Sequence, residues 1–527
     1  MFSVGTILSR VVGLLREVVL ANIFGAGISM DAFLVANRIP NMLREMLAEG
    51  ALGSSFTKVY SAAFEKNPEK AARLYDTCLM AVGLLSLIIA LIGFFGAPFF
   101  VSALTLFSEP KKVHLYAEAV KLTRILFPFI GFMALGSIAM GVLHQRGKFF
   151  LTSSSSMLLN FGYILGAVAF SSGFSFSYAG TSYLPDDPRI FALAIGVLLG
   201  GFLQALVQII GAYTLIRHFP GFSLSNIKES LLSLTSIFYL MVPMIVASSA
   251  AQINVFINTN FATSLEDGAV TWLSFAFRLV QLPVGIFAVA IGSVILPSLT
   301  RSIHKACGKK SQETSNLLFG GIRWVSLTTF AFAIFYICSN YEICHLLYEH
   351  GKFTNFDTQM TARAMCAYSL GLLGYALIKV LTAFYYAQGR TKFAMYASLI
   401  GIGINFVANL IFVDAFGFEG IALTSSLVLM LNALLLFWGI RKEVIFENSG
   451  LGSLALTLFL ASMSVFFIKY ALLLPGFHLL ANLDPKVSSF IKISLYAGIV
   501  AIAFLGFYRL IIGPFQIKSR LTLKKEG

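Results

Sequence analysis

An arginine side chain stays charged in almost any environment, and this chain places arginines where charge is expensive. Residues 9–50, SRVVGLLREVVLANIFGAGISMDAFLVANRIPNMLREMLAEG, read as two apolar helices joined by a turn at Gly25 and Gly27. They carry Arg10, Arg16, Glu17, Asp31, Arg38, Arg44, Glu45 and Glu49, and Arg278 stands isolated further on in FAFRLVQLP. Guanidinium groups form paired hydrogen bonds to phosphate and carboxylate oxygens. Several of them converging on one cavity would suit a phosphate-bearing anion, although spacing alone does not supply the convergence. A plainer reading makes the charges internal salt bridges between the two helices, and it fits Arg38 and Glu45 best. Buried ion pairs are poor stabilisers beside apolar packing, so the cluster as a whole points to a ligand.

The elements that must position these residues are membrane helices. The chain has 527 residues, of which 57% are apolar and 12% charged, with a mean hydropathy of +0.83. Soluble domains carry about 25% charged residues. Residues 77–108, 149–185, 230–265 and 279–300 contain no charge at all. Each is long enough to cross a hydrocarbon core of about 30 Å as a helix, and none shows the alternation of a membrane β-strand. An all-α polytopic membrane protein follows, with about fourteen apolar segments long enough to cross, among them 3–25, 29–63, 117–144, 230–262, 267–301 and 357–387. Arg10, Arg16 and Glu17 interrupt the first apolar run, so it does not read as a cleavable signal peptide. The five cysteines (Cys78, Cys307, Cys338, Cys344, Cys366) form no CxxC pair and have no histidine at ligand spacing, which predicts free thiols and no metal.

Basic residues orient the segments. Lys66, Lys70, Arg73, Arg146, Lys148, Arg217, Lys228, Arg301, Lys305, Lys309, Lys310, Arg390, Lys392, Arg441 and Lys442 fall in one set of loops, and Lys518, Arg520, Lys524 and Lys525 in the tail. The opposite loops hold Lys111, Lys112, Arg189, Lys352 and Lys486. Both termini are therefore expected in the cytoplasm, and the net charge of +14 is mainly a topology signal. Basic residues scattered over short loops do not suit nucleic acid. At 1.5 Å per residue, Arg10 and Arg16 lie roughly 10 and 20 Å from the cytoplasmic side, and Arg38 and Arg44 about 14 and 22 Å from the far side. Pro40 should kink the second helix between Asn37 and Arg44.

One offset recurs. Phe33 and Phe275, Gly50 and Gly292, and Gly147 and Gly389 are each 242 positions apart, and Asn160 has a counterpart in Asn405 after a small slip. An interval that holds six spans implies a parallel repeat. The expected organisation is an N-terminal lobe at 1–222, a C-terminal lobe at 223–447, and two further helices with a basic tail at 448–527. Transporters use such repeats to bind substrate between halves.

At these residues the sequence resembles the MurJ (MviN) family of bacterial lipid II flippases, in the superfamily of the MATE multidrug exporters. The resemblance rests on SRVVGLLREVVLANIFGAG, DAFLVANRIPNMLREMLAEGA, RLVQLPVGIFAVAIGSVILPSL and LLYEHGKFTNFDTQMTARAMCAYSLGLLGYALIKVLTAFYYAQGRTK, within residues 9–392. It implies a monomeric protein of the cytoplasmic (inner) membrane that flips the undecaprenyl-pyrophosphate disaccharide-pentapeptide precursor of peptidoglycan. Membrane lipid surrounds it, and cell-wall synthesis proteins are candidate partners. By position, Arg16, Arg44 and Arg278 match the family's central-cavity arginines, and Arg10 and Asp31 match charged positions. Glu17 stands where relatives have Asp, and Arg38 where Lys also occurs. The last two helices would form a groove for the lipid tail, with Lys469 and Lys492 near the interfaces. Some relatives carry a sodium site. The matching region here has Asn405, Asn409 and Asp414 and no evident buried carboxylate, so no cation is assigned.

The expected mechanism is alternating access, with Pro40 and Pro283 as bending points. No GxxxxGK[ST] motif occurs, so direct use of ATP is not expected, and no cofactor is implied. A cation-coupled drug exporter would want carboxylates and aromatics in place of an arginine excess. An enzyme would need acidic or imidazole groups at a membrane face, and only Asp186, Asp187, His345 and His350 offer themselves.

Overall fold

Inside lipid, every backbone N–H and C=O must bond within the protein, and a helix satisfies them within one segment. The computed structural model is helical almost throughout. It describes residues 2–108, 112–169, 187–219, 227–306, 310–446, 449–472 and 484–512. Lys111, Asp186, Cys307, Lys309 and the basic tail lie outside the described residues, as do the side chains of Glu49, Lys228 and Lys469.

The chain forms two compact units. The first comprises Met1–Thr271 with His350–Thr354. It holds α1 (Phe2–Phe24), α2 (Ile28–Leu43), α3 (Gly53–Lys66), α4 (Pro68–Leu104), α5 (Val113–Leu126), α6 (Phe129–Gln145), α7 (Phe149–Ala169), α8 (Pro188–Ile216), α9 (Ile227–Ser264) and the start of α10 (Ala269–Pro283). Helix starts are written locally. Asn67 accepts from the backbone of Glu69 and Lys70 at 2.9 and 3.2 Å, ahead of Pro68. Asp187 accepts from the backbone of Arg189 at 2.9 Å, ahead of Pro188. In each case the side chain caps an orphan N–H and proline fills a first-turn position that needs no donor.

Tight packing in this unit centres on α7 and α8. Gly162 and Gly166 face Gly196 and Gly200, and a Cβ on Gly196 would lie 2.4 Å from the Gly162 carbonyl oxygen. Such spacing lets two backbones touch, which is how membrane helices gain dispersion energy without a hydrophobic drive. A second core joins α3, α4, α6 and α8 through Phe56, Tyr60, Tyr75, Ile138, Val142 and Ile216.

The second unit comprises Trp272–Glu349 and Asn355–Gly527. It contains the rest of α10, then α11 (Val289–Lys305), α12 (Gln312–Leu347), α13 (Asn355–Ser369), α14 (Leu372–Ala387), α15 (Thr391–Phe416), α16 (Phe418–Ile440), α17 (Leu451–Leu472) and α18 (Pro485–Phe507). Its core includes Leu327, Ile334 and Cys338 of α12, Val465 of α17, and Tyr496 and Val500 of α18. Trp272 is buried and its indole N–H donates to Asp357 at 2.9 Å.

The helical pitch changes after both prolines. The helix through Pro40 widens into π-helical turns over Arg44–Leu52, and the helix through Pro283 does so over Val284–Ala288. Three apolar segments differ from single straight helices, one of them 230–262, which bends by 48° between Leu234–Val246 and Ser248–Ser264. The segment 117–144 is broken between α5 and α6 at Phe127–Pro128. The segment 357–387 bends by 42° between α13 and α14. There the Ser426 hydroxyl donates to the Ala367 carbonyl at 2.7 Å, taking an acceptor from the helical ladder.

Among the described residues, seven helices are long and apolar enough to cross a membrane, or nine if each bent pair is one span. Helix α1 falls outside that set because three charges interrupt its 23 residues. The faces turned outward are apolar: on α4, Leu84, Leu87, Ile92, Phe95 and Phe99 are all exposed. Exposed apolar surface on this scale requires lipid.

Replacing Gly196 by Leu should force α7 and α8 apart. Overpacking of this kind costs about 1–3 kcal/mol or more. Thermal unfolding in detergent should show a lower midpoint, whereas an alanine at Gly147, which has open space around it but a φ of +70°, should have a smaller effect.

Candidate anion site

Arg16 is the best-defined of the charged positions. It is 9% exposed, and Glu17 beside it is 4% exposed. The two side chains form an ion pair. The other guanidinium nitrogen, Nη1, donates to Asn160 Oδ1 on α7 at 3.0 Å, and the group lies over the Tyr163 ring, 4.5 Å from its centroid. Tyr163 is held in turn by Asn37 of α2, whose amide donates to the phenolic oxygen at 2.9 Å, and by an edge-on contact with Phe33. Asn160 also reaches the Ser9 carbonyl at 3.4 Å, and the Ser9 and Ser156 hydroxyls pair at 2.9 Å. Helices α1, α2 and α7 thus share one buried polar network. Its chemistry is that of a preset cation: a carboxylate offsets the charge, an amide and an aromatic ring fix the plane, and the low dielectric strengthens each contact.

Arg44 opens the π-helical stretch and is partly buried. Its Nε donates to Asn41 Oδ1 at 3.1 Å, and it lies 3.6 Å from Glu45, to which Gln252 of α9 donates at 2.7 Å. A π-turn adds a residue to the helical circuit and re-aims the side chains that follow, and such turns concentrate at functional sites. Arg10 on α1 and Arg38 on α2 are partly buried.

Asp31 does different work. It is 1% exposed, and its carboxylate accepts from the backbone N–H of Gly268 at 2.7 Å, the N–H of Thr271 at 2.9 Å and the Thr271 hydroxyl at 2.6 Å. It caps the first turn of α10 from across the unit, where the helix dipole favours negative charge. Close by in the chain, Gly25 adopts φ +68° and a Cβ there would meet the Lys352 carbonyl oxygen at 2.6 Å. The Lys352 N–H donates to Asn22 O at 2.9 Å, docking His350–Thr354 on the α1–α2 turn. Asn260 of α9 bridges the end of α4, accepting from Leu106 N–H and donating to Ala103 O, both at 3.0 Å.

In the second unit Arg278 is exposed, while its neighbours Phe275, Ala276 and Leu279 are buried. The Tyr336 hydroxyl donates to Leu279 O at 3.1 Å and holds α10 to α12. Asn405 and Asn409 are buried and bonded to one another at 3.2 Å, and Asp414 is exposed. No group of three or more His, Cys, Asp or Glu able to hold a metal occurs among the described residues.

Of the residues that suggest an enzyme, Asp187 and His345 have structural partners, and Asp186 lies outside the described residues. Asp187 caps α8 and pairs with Arg189. His345 Nδ1 lies 2.9 Å from the Ser489 hydroxyl and ties α12 to α18, both side chains being buried. The sequence marked Asn160, the sole asparagine of α7, only as a repeat position, and Tyr163 not at all. The Asp31 partners Gly268 and Thr271 carry no local signal.

The fold is that of a polytopic helical membrane protein of the MATE-like type. It is similar to a solved lipid II flippase MurJ in an inward closed conformation, with a TM-score of 0.76 over 97% of this chain and 99% of that one at 24% identity. An inward-facing MATE multidrug transporter matches over 82% of this chain and 94% of its own, with a TM-score of 0.65 at 14% identity. The family model for the lipid II flippase MurJ matches residues 20–495, and the chain belongs to that family. It is 34% identical to the lipid II flippase MurJ of Burkholderia cenocepacia over 84% of this chain and 83% of that protein. It is 29% identical to a probable lipid II flippase MurJ of Buchnera aphidicola over 96% of each. The protein is therefore an integral membrane transporter.

Tyr163→Phe should remove the Asn37 hydrogen bond, worth about 1 kcal/mol, while keeping the ring under Arg16. Asp31→Ala should cost about 1–2 kcal/mol as a lost cap, with Asp31→Asn intermediate. Unfolding midpoints of the purified variants would check this order.

Proposed function

We propose that this protein moves lipid II from the cytoplasmic to the periplasmic leaflet of the bacterial inner membrane by alternating access through an arginine-lined central cavity. The supporting observation is the Arg16 network, a guanidinium fixed by Glu17, Asn160 and Tyr163 within an apolar helix bundle, in a chain of this family. In this reading about fourteen segments cross the bilayer, both termini are cytoplasmic, and the protein works as a monomer. The lobes 1–222 and 223–447 exchange access, and the helices after residue 448 carry the prenyl tail.

Arg16, Arg44 and Arg278 contact the pyrophosphate, replacing its hydration, with Arg10 and Arg38 adding positive charge along its path. Glu17 positions Arg16. Asp31 acts through α10, whose first turn it caps and whose later turns carry Arg278. The π-helical stretches after Pro40 and Pro283 are the bending elements. Membrane potential is the favoured driver, since one charge crossing 100 mV gains about 2.3 kcal/mol.

Arg16→Ala, Arg44→Ala and Arg278→Ala should each lower lipid II exposure on the outer leaflet by about ten- to a hundredfold, the value of one charged hydrogen bond of 1.5–3 kcal/mol. Membrane insertion should be unchanged. Lipid II accessible to an external probe at wild-type levels in all three variants would overturn the arginine cavity.

A further inference from the structure

A cation on α14 has no part in the scheme above. Lys379 lies on α14, an otherwise apolar helix with the sequence LLGYALIKVLTAFYYA. Helix α14 runs eight residues beyond it to Ala387, roughly 12 Å, before the turn to Arg390 that we place at the cytoplasmic end, so Lys379 stands well inside a hydrocarbon core of about 30 Å. Tyr375, Lys379, Thr382 and Tyr386 recur at intervals of four, three and four residues, so they share one face within about 60° of arc. All four are partly or fully exposed, while Leu372, Ala376, Val380, Leu381 and Phe384 on the other faces are buried. The ammonium lies 5.5 Å from the Tyr375 ring centroid, and among the described residues no carboxylate is in ion-pairing range of it.

An exposed lysine at this depth faces either hydrocarbon or water. The first is costly, and intramembrane lysines normally line a wet cavity or meet a partner. Three hydroxyl-bearing neighbours on the same face favour the second.

We infer that this face of α14 is a further contact site for the lipid substrate, with Lys379 meeting an anionic oxygen of the headgroup and Tyr375 orienting the ammonium. The inference rests on the flippase reading. The ligand chemistry is a phosphate or carboxylate oxygen: lipid II offers both, in its pyrophosphate and in its peptide. The aromatic rings of Tyr375 and Tyr386 suit the apolar faces of its sugars.

The test is equilibrium binding of lipid II and of undecaprenyl pyrophosphate to the full-length protein in nanodiscs. Lys379→Gln and Lys379→Met should each weaken lipid II binding about tenfold, as expected for one charge-assisted contact. Lys379→Arg should stay near wild type, and Tyr375→Leu should lose about threefold, the value of an exposed cation–π contact. The arginine variant guards against misfolding, because it keeps the charge at the same position. Loss with both ligands assigns the contact to phosphate; loss with lipid II alone assigns it to a peptide carboxylate. Wild-type affinity for both ligands in the glutamine and methionine variants overturns the inference. Absence of lipid II binding by the wild-type protein would instead overturn the flippase reading itself.

Discussion

Holding a guanidinium inside an apolar helix bundle is the constraint on which the rest of the first unit depends. An arginine at mid-depth costs about 2.5–3.5 kcal/mol on insertion scales, and that cost shapes its surroundings. Glu17 supplies the counter-charge, Asn160 the acceptor and Tyr163 the ring. The last two come from α7, which must therefore lie close to α1. Helix α7 is itself locked to α8 through the four facing glycines. A side chain on one of those glycines would move the helix that supplies both partners of Arg16. The close packing of α7 on α8 and the preset charge on α1 are thus one mechanical arrangement.

The same economy appears in where the helices change pitch. Proline removes a donor from the ladder, and in both Pro40 and Pro283 the turns that follow are π-helical. The first of these stretches begins at Arg44 itself. A change of helical pitch and the placement of a charged side chain are combined in one segment. Asp31 adds the opposite quality. Three hydrogen bonds from the start of α10 fix that helix end and leave the carboxylate little freedom to meet a ligand directly.

Family membership constrains what these groups are for, and the arrangement of residues suggests how they act. A drug exporter and a flippase can share a fold, because fold alone does not determine the cargo. The difference lies in the chemistry presented to it. Here arginine, asparagine and tyrosine dominate the buried polar network, and its carboxylate is already paired.

The sequence by itself determined the membrane class, the apolar segments and the places where proline and charge would interrupt them. Those are local properties: hydropathy, charge and the missing proline N–H act within a few residues. It also marked the arginines as anomalies, since an expensive residue is visible wherever it stands. Only the tertiary structure decided their partners. Arg16 and Asn160 are 144 positions apart, and Asp31 and Thr271 are 240 apart, so neither pairing leaves a local trace. Asp31 therefore read as one more charge in a cluster until its helix cap became visible, and Asn160 as a repeat marker until it met Arg16. Hydrogen bonds and ring contacts have a reach of a few ångströms in space and none along the chain, which is why spacing could name the charged residues while packing alone assigned their work.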